Sequence, residues 1–555
     1  MCGIVFTNKE IDNINQIIKY LQKRGPDHTE HKEINGYSFI HLLLSMTGKS
    51  LTIQPFVYNN IVIMFNGEIY NYNDFGDFNS DGECIIESYK KHGDNFIKFL
   101  DGEFAILLVD FEKNVLYYST DIFSTKPLWI SIDNKHIGIC SYESSLKELN
   151  FTNIKQVQPN TTVKINLINY TILTEQTVYD FDLNQHKLNY DDWNSAFENA
   201  IKKRVSNIKH GVFIGLSAGY DSGLIACVLT KLGYDFKAYS IIGSENPSIL
   251  KQRHSLLKNG EIIDISREDF MNQRKFLKEN SEEYCLKIEN GERQSYIKSL
   301  MQLDKLNIDK KNLLAQNKFN PTTHKLWIDS YTNILSLSKH YLRTYKFRMR
   351  EQMVTDDNGS IGLSHISMKA RTEGNIIYLS GSGADEIISD YGYNSIKHYG
   401  HSSIGGFFPT NLKSVFPWKN FFDNTQRAYL MKEETVSGTH GVEGRYPFLD
   451  KFVVQEFLWL SNDLKNKNYK SVIYNYLIKE KYPFEKDKKV GFGCGFAGPD
   501  IDLDKSFTKI QIHNHQYTPV GTDKKLQVDI NFDKECETYI IKNDIDFTFL
   551  FDNIK

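Results

Sequence analysis

The sequence predicts an α+β domain of packed antiparallel sheets, residues 1–185, followed by an α/β domain with a doubly wound parallel sheet, residues 192–555. At 555 residues the chain is too long for a single hydrophobic core. The first third of the chain contains short strand-like runs separated by turn residues, whereas the rest of the chain contains strand–turn–helix units. A polar segment around 180–191 fits neither pattern, so it is predicted to be the linker.

The first domain contains short apolar and aromatic runs that are typical of β-strands. These runs are 37–41, 60–65, 104–109 and 115–118. Two helical stretches, near 11–23 and 82–99, interrupt the strands. Several strands with few helices favour antiparallel sheets that carry the helices on their outer faces.

The second domain alternates helices and apolar strands. The predicted order is helix 193–205, strand 211–216, helix 224–232, strand 236–242 and a further strand–turn–helix unit from 376. Such alternation predicts parallel strands whose carboxyl ends form the ligand crevice. Charged and aromatic residues near 290–350 have a largely helical pattern and are predicted to form an insertion.

Composition narrows the functional classes. The net charge of −3 gives no electrostatic case for a nucleic-acid or membrane partner. No run of eighteen apolar residues and no signal-peptide pattern is present. Seven scattered cysteines without a CxxC pair indicate reduced thiols, and therefore a cytoplasmic protein without a Cys/His metal site. The sequence does not fix the oligomeric state, and a homodimer is one possibility.

Cys2 is the first candidate catalytic residue. Removal of Met1 would give Cys2 both a thiol nucleophile and a free α-amine, whose pKa of roughly 7.7–8.0 suits a base near neutral pH. Gly3 would leave room for a substrate beside the thiol. The sequence therefore predicts an N-terminal nucleophile.

Three further segments supply polar groups for such a site. They are Arg24-Gly-Pro-Asp27, Phe65-Asn-Gly-Glu-Ile-Tyr-Asn71 and Ser80-Asp-Gly-Glu83. The Asn66 amide and the Gly67 N–H are suited to stabilise an oxyanion, and Asp81 is suited to pair with a substrate ammonium. Each segment alone is also typical of an ordinary turn.

Together with Cys2 and Asp101-Gly-Glu-Phe-Ala105, these segments resemble the class II, N-terminal-nucleophile glutamine amidotransferases in order and spacing. The resemblance implies an N-terminal-nucleophile sandwich fold in which Cys2 attacks the glutamine amide and releases ammonia through a γ-glutamyl thioester. Asn66 and Gly67 would form the oxyanion hole, and Asp81 would hold the glutamine α-amine. The implied glutamine-binding residues are Leu44, Met46, Thr47, Asn66, Gly67, Glu68 and Asp81.

One position departs from that family. Its members usually place an arginine where Leu43 stands, and that arginine binds the glutamine α-carboxylate. A bidentate guanidinium–carboxylate pair is hard to replace. Arg24 is the candidate for binding the glutamine α-carboxylate in place of the missing arginine.

The second domain carries an anion-binding pattern between a strand and a helix. Ser217-Ala-Gly-Tyr-Asp-Ser-Gly223 offers small residues and hydroxyls at a helix N-terminus, where backbone N–H groups can approach phosphate. Asp221 could hold Mg²⁺. No lysine follows, so this is not the kinase and ATPase phosphate loop. It resembles the SGGxDS loop of enzymes that adenylylate a substrate and expel pyrophosphate.

Three later segments are similar to glutamine-hydrolysing asparagine synthetases: SGSGADE at 380–386, EGRYPFLD at 443–450 and KKVGFG at 488–493. The resemblance implies that ATP and Mg²⁺ are used, with Lys489 stabilising the transition state and Asp221 and Asp385 binding the metal. The implied ATP-binding residues are Leu216, Ser217, Gly219, Asp221, Ser222, Ile241, Ser380 and Gly381.

Departures from this second family concern the acceptor. Ser382 replaces a glutamate that is the favoured base for incoming ammonia, and Gly362 stands where an arginine is expected. Glu443 is then the predicted catalytic base, as at a homologous position in β-lactam synthetases.

The sequence therefore predicts an ATP-dependent ligase resembling asparagine synthetase. Glutamine hydrolysis would supply ammonia to an acyl-adenylate of a carboxylate such as aspartate, giving an amide, AMP and pyrophosphate. Two alternatives stay open: a different carboxylate acceptor, which Ser382 and Gly362 favour, and a weakened, regulatory member, which Leu43 and Ser382 favour. A stand-alone glutaminase leaves the ATP loop unexplained.

Overall fold

The computed structural model describes residues 1–48, 50–133, 135–290 and 348–486, together with residues 493, 495 and 496 and four short strands between 515 and 541. The chain divides into two compact units. The first comprises Met1–Tyr284, Met353–Lys397 and Ile404–Leu503, and it contains every element discussed below except those assigned to the second. Most of the insertion predicted near 290–350 lies outside the described residues.

The amino-terminal part of the first unit forms two six-stranded antiparallel sheets. Its strands are β1 Gly3–Thr7, β2 His28–Ile34, β3 Tyr37–Leu43, β4 Phe56–Tyr58, β5 Ile61–Ile69, β6 Gly102–Asp110, β7 Val115–Thr120, β8 Trp129–Ile132, β9 Ile137–Cys140, β10 Lys155–Gln156, β11 Thr161–Asn166 and β12 Ile172–Thr177. One sheet has the order β10-β8-β9-β1-β3-β2 and the other β12-β11-β7-β6-β5-β4.

Strand alternation explains how these sheets pack. Ile4 and Phe6 of β1 share one buried cluster with Met64 of β5 and Leu107 of β6, so the two sheets stack face to face. Val5, on the opposite face of β1, packs against the helices outside the sandwich. Those helices are α1 Ile14–Ile17, α2 Leu21–Arg24 and α4 Glu143–Glu148. α3 Cys84–His92 packs on the outer face of the other sheet, and 3-10 turns lie at Tyr72–Asp74, Asp81–Glu83 and Gly93–Phe99.

The rest of the first unit surrounds a five-stranded parallel sheet of order β15-β14-β13-β18-β21. The strands after β12 are β13 Gly211–Gly215, β14 Lys237–Ile241, β15 Gly260–Ile263, β16 Cys285–Asn290, β17 Arg348–Met353, β18 Asn375–Leu379, β19 Gly392–Tyr393, β20 Ile396–Lys397 and β21 Glu443–Arg445. The order reverses between β13 and β18, which places the ligand crevice at the carboxyl ends of those two strands.

Helices cover this parallel sheet. They are α5 Asp191–Val205, α6 Tyr220–Lys231, α7 Pro247–Ser255, α8 Arg267–Asn280, α9 Asn358–Thr372, α10 Lys419–Phe422, α11 Thr425–Gly438, α12 Lys451–Trp459, α13 Asn462–Asn466 and α14 Ser471–Lys479. Single turns of 3-10 helix lie at Val354–Asp356, Leu412–Ser414 and Pro447–Leu449, and a π-helical turn lies at Ala384–Ser389. None of these helices combines the length and hydropathy of a membrane-spanning segment.

The second unit comprises Cys285–Gln352, His398–Ser403 and Asp504–Lys555. Its described strands pair as β16 with β17, β22 His515–Tyr517 with β23 Leu526–Val528, and β24 Ile530–Phe532 with β25 Tyr539–Ile541. The predicted fold class, antiparallel sandwich sheets followed by a parallel-sheet α/β domain, is confirmed. The predicted helix at 11–23 is two short helices, because the chain turns at 18–20 between α1 and α2.

Candidate active sites

Cys2 lies just before β1, at the edge of the amino-terminal sandwich. Its thiol is buried, with 8% of the residue exposed, and Sγ lies 3.9 Å from the carbonyl oxygen of Leu44. Its backbone N–H donates to Oδ1 of Asn66 at 2.8 Å. Asn66 is on β5 of the facing sheet, so the stacking of the two sheets brings Cys2 and Asn66 together.

The Asn66 side chain holds an unused hydrogen-bond donor. Its Nδ2 is buried and has no hydrogen-bond partner within the described part of the chain. Such a group costs about 1–3 kcal/mol, a cost that an acceptor on a ligand would offset. The adjacent Gly67 has φ of 133°, and a Cβ there would collide with the carbonyl of Glu103 on β6. Glycine is therefore required beside Asn66.

Asp81 lies at the start of a 3-10 turn and faces the loop after β3. Oδ2 accepts from the Ile69 N–H at 2.7 Å, and Oδ1 accepts from the Thr47 hydroxyl at 3.2 Å. Burial raises the pKa of Asp81 to about 6, although both hydrogen bonds lower it. Thr47 and Asp81 are therefore hydrogen-bonded to each other. Thr47 ends the segment 44–47, and the carbonyl of Leu44, at the other end of that segment, lies beside the Cys2 thiol.

The N-terminal ammonium of Met1 is buried against the second domain. It lies 3.0 Å from Oε2 of Glu443 on β21, and the Met1 side chain is fully buried. Burial alone would raise the pKa of Glu443, but the ammonium and Arg445 outweigh it and hold that pKa far below its usual range. Burial also raises the pKa of the Cys2 thiol to about 11, so a base is needed to ionise it.

Glu68, predicted to bind glutamine, lies in the same cluster. Arg445 Nη2 is 3.1 Å from Oε1 of Glu68 and 2.8 Å from Oε1 of Glu443. Burial raises the pKa of Glu68, whereas Arg445 lowers it. Glu68 thus contacts the strand on which the predicted base lies.

Leu43 ends β3, and its side chain is nearly fully buried. Arg24 does not replace the missing arginine, because its guanidinium already binds the Cys2 carbonyl, Tyr142 and Glu434. A cation from the second domain does approach this edge. Lys209 Nζ donates to the Ser45 hydroxyl at 3.1 Å.

Buried ion pairs join the two domains. Glu434 of α11 contacts Arg24 at 2.9 Å and Lys126 at 3.0 Å, and all three side chains are at most 1% exposed. Arg204 of α5 pairs with Glu103 of β6 at 2.7 Å. Buried charges persist only when paired, so this interface fixes the two domains relative to each other.

The predicted phosphate-binding turn follows β13 and leads into α6. Ser222 Oγ accepts from the Ser217 N–H at 3.0 Å, and Ser217 Oγ accepts from the Gly219 N–H at 3.1 Å. The buried Leu216 precedes the turn, and Ile241 ends the neighbouring β14. The turn is thus held compact by its own hydroxyls at the carboxyl edge of the sheet.

Two charged groups flank this turn. The Glu245 carboxylate accepts from the Ala218 N–H, as the oxygen of a bound anion would. Arg253 is fully buried beneath the turn, where its Nη1 donates to the Gly219 carbonyl at 2.9 Å. Desolvation lowers the pKa of Arg253 to about 10, and its Nη2 has no hydrogen-bond partner among the described residues. The turn therefore favours an anion.

The second predicted turn follows β18, directly beside the first. A Cβ on Gly381 would lie 3.0 Å from Cβ of Asp221, so glycine lets the two turns approach. Ser380 is buried, and a π-helical turn carries Asp385. Lys470 Nζ lies 2.6 Å from Asp221 Oδ1 and 2.7 Å from Asp385 Oδ1.

The carboxylates of Asp221 and Asp385 thus share one cation. Mg²⁺ is commonly held by one or two carboxylates together with substrate phosphates, and this pair beside an anion-binding turn fits that donor set. No cluster of three or more metal-ligating side chains occurs among the described residues.

Other predicted residues are placed as follows. Gly362 lies on α9, and a Cβ there would meet the Phe496 ring at 2.5 Å, so an arginine would require Phe496 to move. Ser382 donates its hydroxyl to Glu433 at 2.8 Å. Lys489 lies outside the described residues.

Sequence reasoning missed Lys470, Arg253, Glu433 and Glu434. Lys470 is in the left-handed conformation, with φ of 47°, before α14, and no local motif signals its contact with two distant turns. Arg253 is one of several basic residues on its helix, and only Gly223, which leaves space for the guanidinium, hints at it.

Both parts of the chain are similar in sequence to known proteins. A family model of the glutamine amidotransferase domain matches residues 1–189. The chain is 23% identical over 510 residues to mouse glutamine-hydrolysing asparagine synthetase, covering 83% of this chain and 76% of the relative. It is 24% identical over 489 residues to a putative asparagine synthetase of Methanocaldococcus jannaschii, covering 82% and 76%.

Two further matches cover less of the chain. A probable asparagine synthetase of Acanthamoeba polyphaga mimivirus is 28% identical over 315 residues, 48% of this chain and 57% of the relative. A solved structure of the allosteric regulatory enzyme of purine biosynthesis aligns with 48% of this chain and 82% of its own, with 14% identity and a TM-score of 0.27. The chain therefore carries a class II glutamine amidotransferase domain and is a distant homologue of the asparagine synthetases over most of its length.

Proposed function

We propose that this protein is an ATP-dependent amidotransferase, which uses glutamine as nitrogen donor and converts a carboxylate acceptor into its amide. The observation that carries the proposal is the contact between the two predicted sites. Glu443, on the sheet that carries the phosphate-binding turn, contacts the residue preceding the Cys2 nucleophile at 3.0 Å. Ammonia released at Cys2 would therefore start its path at the domain interface.

The glutaminase step follows from the first site. Loss of Met1 leaves Cys2 with a free α-amine, which takes the proton of the buried thiol. The thiolate attacks the glutamine amide carbon, while Asn66 Nδ2 and the Gly67 N–H donate to the developing oxyanion. The α-ammonium gives the thiol proton to the leaving nitrogen, ammonia departs, and water then hydrolyses the thioester to glutamate and the free thiol. Asp81 would hold the glutamine ammonium.

The synthetase step follows from the second site. The acceptor carboxylate attacks the α-phosphorus of ATP and expels pyrophosphate, and the turn at 217–223 with Arg253 favours those phosphates. Bound Mg²⁺, held by Asp221 and Asp385, would neutralise phosphate charge. Ammonia attacks the acyl-adenylate and displaces AMP. The predicted contribution of Lys489 stays a proposal.

Aspartate is the first acceptor to test. A different small carboxylate is the second candidate, and Gly362 favours it, because the packing of Phe496 against α9 leaves no room for an arginine there.

The experiment is pyrophosphate release with glutamine or ammonia as nitrogen source, aspartate or a panel of small carboxylates as acceptor, and Cys2→Ala as the matched variant. We expect Cys2→Ala to lose glutamine-supported amide formation and to keep ammonia-supported formation. Wild-type protein that neither hydrolyses glutamine nor releases pyrophosphate with any acceptor would instead support the weakened, regulatory alternative.

A further inference from the structure

We propose that Glu433 is the general base of the amide-forming step, taking the proton that the ammonia nitrogen must lose. This inference depends on the proposed function above. It concerns a residue that no motif indicated, on a helix remote in sequence from both turns.

Glu433 lies on α11 and reaches the turn after β18. Its Oε1 accepts from the Ser382 hydroxyl at 2.8 Å. The Ser382 N–H in turn donates to Ser380 Oγ at 3.0 Å, which fixes Ser382 within the turn. Ser382 thus holds the carboxylate beside the turn that also carries Asp385.

The second oxygen of this carboxylate is available. Oε2 of Glu433 is buried and has no hydrogen-bond partner among the residues that the structure describes. A buried acceptor in that condition is suited to receive a proton from a ligand. Because Ser382 is short, it leaves space over the turn that a longer side chain would fill.

The charges around Glu433 keep its proton affinity high. Burial raises its pKa, and the nearby Glu434 acts in the same direction. Lys432 lowers it, but the Lys432 ammonium is itself 3.2 Å from Asp357. The phenols of Tyr378 on β18 and of Tyr446 after β21 interact electrostatically with Glu433, and the Tyr446 hydroxyl donates to Glu434 at 3.0 Å.

Other carboxylates of this region are already engaged: both oxygens of Glu386 accept hydrogen bonds, one from the Gly383 N–H and one from the Tyr391 hydroxyl. Loss of Met1 would free Glu443 from the ammonium, but Arg445 holds its Oε1 through both Nε and Nη2 at 2.8 Å, and Arg445 and Lys126 both lower its pKa. Asp385 is bound by Lys470. Glu433, whose pKa is raised by burial, accepts a proton more readily than a carboxylate bound by a guanidinium.

In the proposed step the nitrogen lone pair of ammonia forms a bond to the carbonyl carbon of the acyl-adenylate. The nitrogen then carries a positive charge, and Glu433 Oε2 takes one of its protons. The carbon–oxygen bond to AMP breaks, and its electron pair leaves with the AMP phosphate. The products are the neutral amide, AMP and a protonated Glu433, which returns its proton to water.

The test compares Glu433→Gln with a matched surface variant, Glu148→Gln, using the acceptor that the pyrophosphate screen identifies. Amide formation is measured with ammonia and with hydroxylamine, a less basic amine whose positively charged adduct loses its proton to water more readily and so depends less on a base. We expect Glu433→Gln to lose 10²–10⁴-fold with ammonia, the usual contribution of a general base, and to keep hydroxamate formation and ATP–pyrophosphate exchange. Returning a carboxylate to the turn, in Ser382→Glu/Glu433→Gln, should restore part of the ammonia rate.

The outcomes are separable. Wild-type protein without amide formation from any acceptor overturns the proposed function and this inference with it. Wild-type turnover with an unchanged ammonia rate in Glu433→Gln overturns the inference alone. Equal loss of pyrophosphate exchange and hydroxamate formation also overturns it, because Glu433 would then only support the turn.

Discussion

The N-terminal ammonium of Met1 lies 3.0 Å from Oε2 of Glu443, a residue 442 positions away, and both groups are fully buried. Met1 therefore fills the space between the Cys2 thiol and the second domain. Its removal would vacate a pocket that has the nucleophile at one end and a carboxylate of the parallel sheet at the other.

An unprocessed extension ahead of Cys2 should abolish glutamine hydrolysis, because it removes the free α-amine and fills that pocket. We expect a loss of at least about 10²-fold, the lower bound for a positioned base. Ammonia-supported amide formation should persist. Proteolytic removal of the extension to leave Cys2 first is the control, and glutaminase activity before that cleavage would contradict the prediction.

Replacing Leu43 by arginine should lower KM for glutamine. A charge-assisted bond to the α-carboxylate contributes about 1.5–3 kcal/mol, or roughly 10- to 150-fold in affinity. Leu43→Met keeps the apolar volume and serves as the control in steady-state glutaminase assays. If KM does not fall, the carboxylate is bound elsewhere, and Lys209→Met should then raise KM.

Glutamine binding should weaken below pH 6. The Asp81 carboxyl has its pKa raised to about 6 by burial, and only its ionised form attracts the glutamine ammonium. As pH falls through 6 the carboxyl gains a proton, so KM should rise up to tenfold per pH unit. Asp81→Asn should show a high KM that does not vary over pH 5–7, and a pH-independent wild-type KM would refute the assignment.

Lys470→Met should make the protein's thermal stability depend on Mg²⁺ in the absence of ATP. Without the ammonium, the carboxylates of Asp221 and Asp385 repel each other and attract a divalent cation. At ten times Kd, binding stabilises by about 1.4 kcal/mol, which thermal shift measures. Adding Asp221→Asn to Lys470→Met should remove the effect, and a Mg²⁺-independent melting temperature in Lys470→Met counts against a metal site.

Glu434→Gln should destabilise the chain by about 3–5 kcal/mol, because it removes the carboxylate that pairs with the buried Arg24 and leaves the buried Lys126 with only the more distant Glu103, at 4.0 Å. Urea denaturation measures the free energy of unfolding of this variant and of a surface control, Glu87→Gln. Glu87→Gln removes the partner of Lys90 from an exposed pair and should cost at most about 1 kcal/mol. Equal effects in the two variants would mean that the domain interface is hydrated.

Local patterns determined the fold class and the motifs of both sites. Strand alternation in β1 and β5 and the strand–turn–helix rhythm around β13 and β18 depend on residues close in sequence, where periodicity and turn chemistry act. The Ser217–Gly223 turn and the Asp385 turn were found for the same reason. The break between α1 and α2 was missed because no glycine or proline marks it.

Only the tertiary structure decided which side chains meet. Arg24 is taken by Glu434, Lys470 joins Asp221 to Asp385, Glu443 faces Met1, and Glu433 supplies a carboxylate beside Ser382. Each of these contacts crosses 51 to 442 positions of chain, so no local spacing encodes it. The sequence by itself therefore determined the chemistry available to this protein, and the packing of two domains decided which groups can perform it.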